Sequence, residues 1–136
     1  MKVELPLGDV VDKISILRIK SQRINNEDKL KNVHRELNVL LAAWAETEHP
    51  PLTELSEWDG LLTVNGSLWT VEDDLRILEA KQDFGDEFVK LARSVYFLND
   101  KRANLKKSIN IALGSDLVEE KSYQDYGDGS GNSPLD

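Results

Sequence analysis

Apolar residues return along this chain at alternating steps of three and four, the spacing of one face of an α-helix. Val10, Ile14, Leu17 and Ile24 form the first such series. Asp9 follows Gly8 and precedes Asp12 by three, the pattern of an N-cap with an acid at the third helical position. The spacing predicts a helix over about 9–24. "NNED" is a turn and cap signal, after which Leu30, Val33, Leu37, Leu40 and Trp44 predict a second helix over about 27–46. So short a connection makes the two an antiparallel hairpin.

"EHPP" (48–51) stops the second helix, because proline lacks the donor N–H and clashes with the preceding turn. Leu61, Val64, Leu68, Val71, Leu75 and Leu78 then hold phase across Gly66, predicting one long helix over about 52–82. A break near Asn65–Gly66 is the alternative, since Gly60 and Gly66 each weaken a helix by about 1 kcal/mol relative to alanine. After the turn "QDFGD", the series Phe88, Leu91, Val95, Leu98, Arg102, Leu105, Ile109 and Ala112 predicts a fourth helix over about 86–113, ended by Gly114. The fold class is therefore all-α: two antiparallel helical hairpins, the second longer. "MKVELPLG" alternates weakly and reads as a short extended segment, pairing with another copy or lying on the bundle. "YQDYGDGSGNSPLD" reads as an acidic, flexible end. Residues 1–126 form one helical domain and 127–136 a disordered tail.

A polar column interrupts the third stripe: Asn65, Glu72 and Glu79 recur every seven residues. In an antiparallel hairpin turning near Phe84, facing residue numbers sum to roughly 168. Asn65, Trp69 and Glu72 then approach Asn99 and Arg102. An arginine on a seam needs a partner, because an unpaired buried charge costs several kcal/mol. Glu72 is the expected one, in a polar layer that sets helix register. The sharper reading is a ligand pocket built from Asn65, Trp69, Glu72, Asp73, Arg76, Glu79, Asn99, Arg102 and Lys106. No residue is assigned a catalytic or metal-ligating role, and no cofactor is expected. Trp44, Trp58 and Trp69 are read as core or interface anchors.

Composition narrows the partners. The net charge is −8, but residues 114–136 carry six acids against one base, which leaves the body at −3. A body so near neutral is no general magnet for nucleic acid or anionic lipid. Cysteine is absent, which excludes disulfides, thiolate nucleophiles and Cys-ligated zinc. No stretch reaches the ~20 apolar residues of a membrane span, and the first residues show no secretory h-region. All-helical nucleotide pyrophosphohydrolases carry ExxE and ExxD pairs on facing helices. "ELSE" (54–57) supplies the first half, but the facing helix offers only "FLND". "GDGSGN" (127–132) follows no strand and precedes no helix, so it is read as tail rather than as a phosphate or Ca²⁺ loop.

"LGDVVDKISILRIKSQRI", "KLKNVHREL", "VNGSLWTVEDDLRILE", "FVKLARSVYFLNDKRANLKKSIN" and "GSDLVEEKSYQDY" together resemble a family of short helical proteins from bacteria and marine phages. The resemblance spans about residues 3–126 and implies no particular activity. It does imply that Glu119, Glu120, Lys121, Tyr123 and Tyr126 dock on the bundle. The functional expectation is a non-enzymatic helical interaction module, homodimeric, in a cytoplasmic assembly, with itself or another protein as partner. The alternative is a small helical enzyme or sensor for a phosphorylated or carboxylated metabolite, with Mg²⁺ as an option.

Overall fold

Leu7, not Asp9, begins the first helix of the computed structural model, which describes residues 1–117 and 119–120. Pro6 takes the N-cap position, with φ −55° and ψ 140°, and its carbonyl accepts from Asp9 N–H at 3.0 Å. A helix start leaves N–H groups unsatisfied, and a local cap is one remedy. Here the remedy is distant. Gly8 N–H donates to Asn110 Oδ1 at 2.6 Å, and Leu7 N–H to Ser115 Oγ at 3.2 Å. The far end of the chain therefore caps α1 (Leu7–Arg23), and Asp9 is left free for an ion pair with Lys106 at 3.0 Å.

Helix α2 (Glu27–Ala45) starts where the sequence predicts, because Asn26 accepts from Lys29 N–H at 3.0 Å. The connection after it carries one 3-10 turn, Leu52–Glu54, and α3 begins only at Trp58. The expected start near 52 is thus corrected. Leu52 and Trp58 are both buried, yet six residues apart in one helix they would point about 120° apart. The extended conformation of Leu55 (φ −74°, ψ 128°) re-aims the chain so that both enter the core. Trp44 fastens the connection by donating its indole N–H to Pro50 O at 2.9 Å.

Helix α3 (Trp58–Ala80) is continuous through Gly66. Its end is a Schellman turn: Gln82 takes the left-handed conformation (φ 56°), and Asp83 N–H bonds Leu78 O at 2.9 Å. Helix α4 (Asp86–Leu113) has the predicted bounds and ends in the same way, with Gly114 at φ 66° and Ser115 N–H on Asn110 O. Ser108 Oγ donates to Glu57 Oε2 at 2.6 Å, and Gly60 lies against Leu105. Facing numbers in the α3–α4 pair therefore sum to 165, close to the expected register. Burial pushes the Glu57 carboxyl up, but the hydrogen bonds from Ser108, Ser56 and its own N–H outweigh it and leave the pKa lowered.

The fold is all-α, and among the described residues there is no strand. Helix α1 is the central element, packed against α2, α3 and α4. Val11, Ile14 and Leu17 are its buried stripe, joined in one core by Val33, Leu37, Trp44, Leu61, Val64, Leu98 and Ile109. Arg23, the last residue of α1, reaches Gly66 O at 3.2 Å and Thr70 Oγ1 at 3.1 Å. Beyond that point α3 and α4 continue as a two-helix arm with no α1 beside it. Glu119 and Glu120 fold back onto Lys106 (2.7 Å) and Lys107 (3.2 Å). Lys121, Tyr123, Tyr126 and the expected tail 127–136 lie outside the described residues. Among the described residues, no helix is long and apolar enough to cross a membrane.

Candidate functional site

Asp12 sits on the same stripe of α1 as Gly8, Ser15 and Ile19, a series of small, polar and apolar residues at helical spacing. All four are buried. That stripe faces α3 and α4, so the carboxylate must find its partners there. Arg102 of α4 meets it with both arms of its fork: Nε donates to Oδ1 at 3.0 Å and Nη2 to Oδ2 at 2.6 Å. Asn65 of α3 adds a third bond, Nδ2 to Oδ1 at 2.9 Å, and also reaches Ser15 Oγ at 2.9 Å. Ser15 Oγ in turn donates to Asp12 O at 2.6 Å. One carboxylate thus ties three helices together.

The layer anticipated from the polar column therefore exists, but with a different acid. Arg102 does not pair with Glu72. The nearest cation to Glu72 is Arg76, one turn along α3 at 4.0 Å, with both side chains in solvent. The reason is geometric. The pairing expectation considered only the two helices of one hairpin, whereas Arg102 faces α1, which is inserted alongside both. The hydrogen bonds to Asp12 raise the Arg102 pKa against the opposing effect of burial. The side chain of Asp12 is 5% exposed and that of Arg102 31%, so the pair is buried on one side and wet on the other.

The wet side is a groove of about 370 Å³ between α1, α3 and α4. Asn65, Trp69, Glu72, Asp73, Arg76, Asn99 and Arg102 line it, together with Ile16, Ile19 and Leu68. Seven of the nine sequence candidates are thereby brought together. Glu79 is not. It lies two turns beyond Glu72 along α3, about 10 Å on, and is exposed. Lys106 is not either; it is held at the α1 start between Asp9 (3.0 Å) and Glu119 (2.7 Å). Burial lowers the Lys106 pKa, but the bonds to those two carboxylates outweigh it, and the net shift is upward. Sequence reasoning missed Asp12, Ser15, Ile16 and Ile19. The signal was available, since Asp12 and Ser15 fall among the apolar residues of α1 rather than opposite them.

Chemically, the Asp12 carboxylate is taken up by three hydrogen bonds, two of them from the Arg102 guanidinium. The groove carboxylates Glu72 and Asp73 are exposed. Among the described residues no three His, Cys, Asp or Glu side chains are grouped to hold a metal ion. Gly66 has a local role on the other side of α3. A methyl there would stand 3.3 Å from Arg23 Nη2, so its absence lets that guanidinium seat, 6.0 Å over the Trp69 ring.

A family model described as a family of unknown function (DUF6165) matches residues 1–134. No curated protein and no solved structure matches the chain.

Proposed function

The chain belongs to the DUF6165 family, whose function is unknown, and from the geometry we propose that it is a non-enzymatic helical interaction module. It self-associates as a homodimer, in a cytoplasmic assembly. One observation carries this reading: large apolar side chains stand in solvent at both ends of the bundle. Met1, Val3, Leu5, Ile111 and Leu117 are exposed where α1 starts and α4 ends, and Ile77, Phe84 and Val89 are about half exposed on the two-helix arm. Single exposed apolar residues need no explanation, but gathered ones mark surfaces that are covered in an assembly. The Asp12–Arg102–Asn65 layer serves the same end by fixing the rotation of three helices, as polar groups inside helical bundles do.

Sedimentation equilibrium tests the proposal. The expected mass is twice the 15.4 kDa of the chain, with the monomer appearing only on dilution. A monomer at every concentration up to about 100 μM would overturn it, because affinity weaker than that has little meaning for a stable assembly.

The groove favours a second reading: a small helical enzyme or sensor for a phosphorylated or carboxylated metabolite, with Mg²⁺ as an option. Arg76 and Arg102 would meet the anion, with Ile16, Ile19, Leu68 and Trp69 beneath it. Thermal-shift screening against nucleotides, sugar phosphates and divalent cations separates the two. A rise in melting temperature that disappears in Arg76→Ala supports the ligand reading; no rise with any compound removes it.

A further inference from the structure

Residues 1–5 read Met-Lys-Val-Glu-Leu, with apolar and charged positions alternating as in a strand. The sequence left two places for them, against the bundle or against another copy. The structure removes the first. Met1, Val3 and Leu5 are exposed, as are Lys2 and Glu4, and among the described residues no hydrogen bond engages the backbone of Met1–Leu5. Strand-forming backbone with its donors and acceptors unpaired is a template for another strand.

The order of the charges says which strand. Placed antiparallel about Val3, two copies of this segment set Lys2 opposite Glu4 twice, Val3 opposite Val3, and Met1 opposite Leu5 twice. Residues directly opposite share a face, so both ion pairs fall on one side of the ribbon and all the apolar residues on the other. A parallel pairing in register would instead oppose lysine to lysine and glutamate to glutamate. The pattern is self-complementary under a two-fold axis, as a homodimer contact must be.

An isolated two-stranded ribbon is marginal in water and needs a surface under it. That surface is present. Leu7 N–H bonds Ser115 Oγ, Gly8 N–H bonds Asn110, and so the segment leaves the bundle beside residues 110–117. Ile111 and Leu117 are exposed there and provide apolar cover. We propose that Met1–Leu5 of two copies pair as an antiparallel ribbon centred on Val3, packed over Ile111 and Leu117, and that this is the dimer contact. The inference rests on the self-association reading above and names its partner, a second copy of this chain.

Charge reversal tests it. Lys2→Glu places glutamate opposite glutamate, and Glu4→Lys places lysine opposite lysine. By sedimentation velocity each single variant is expected to dissociate at least about tenfold more readily than the unaltered protein. The double variant, with both charges exchanged, recovers dimerisation. A one-to-one mixture of the two single variants does so as well, as a heterodimer, because each glutamate then meets a lysine. At a dilution where every form is monomeric, melting temperatures stay unchanged, since both side chains are exposed in the monomer. If the unaltered protein is a dimer and the single variants dimerise equally well, the contact lies elsewhere: the inference falls and self-association stands. If the single variants weaken but the mixture does not recover, the antiparallel pairing is wrong. If the unaltered protein is a monomer throughout, both fall.

Discussion

Alanine at position 8 is expected to lower the free energy of unfolding by about 2–3 kcal/mol. Its Cβ would lie 2.3 Å from Lys106 O, 2.9 Å from Lys106 C and 3.0 Å from Asn110 Oδ1. The first two are backbone atoms of α4 and cannot rotate aside, so α1 must withdraw. Withdrawal stretches the 2.6 Å bond from Gly8 N–H to Asn110, whose side chain is itself buried. Overpacking costs about 1–3 kcal/mol and the bond about 1, while the gain in helix propensity returns at most about 1. Gly60→Ala is the control. There the methyl meets only the Leu105 side-chain methyls, at 3.1 and 3.2 Å, and these can turn. Urea denaturation of both variants is the measurement. A Gly8→Ala protein as stable as Gly60→Ala would refute the close approach of α1 to α4.

Asp12→Leu should cost more, about 3–5 kcal/mol, because it leaves the Arg102 guanidinium and the Asn65 amide facing an apolar side chain. The partial exposure of Arg102 favours the lower end of that range. Arg102→Met alone also destabilises, since Asp12 then stays buried without its cation. The double variant Asp12→Leu/Arg102→Met is expected to be more stable than Asp12→Leu alone, by at least about 1 kcal/mol. A double-mutant cycle by chemical denaturation reads this coupling directly. Strictly additive effects would mean that the two side chains do not act as a pair. Glu72→Ala should leave stability near that of the unaltered protein, because its contact with Arg76 is long and solvated.

How far the chain could be read depended on the range of the interactions. The bounds of α4 and its cap at Gly114 were legible because the stripe, the acidic first turn and the glycine are all local signals. The continuity of α3 through Gly66 was legible from the phase of its stripe. The α3 start was not, because the extended Leu55 that ends the 3-10 turn answers to two core pockets, one for Leu52 and one for Trp58. The seven groove residues were found together because helical spacing places them on facing sides of one hairpin. Lys106 was wrongly grouped with them, since its partners Asp9 and Glu119 come from the opposite ends of the chain.

Four helices, the bounds of α4 and the tight turn between α3 and α4 were written in the sequence alone, because the signals for them lie among residues a few positions apart. Which acid would neutralise Arg102 was decided only in three dimensions. Asp12 lies 90 positions away, and it meets that guanidinium because α1 packs along both α3 and α4 with its Gly8–Asp12–Ser15 stripe turned inward. The rotation of one helix against two others is set by the packing of the whole core. No local pattern encodes it.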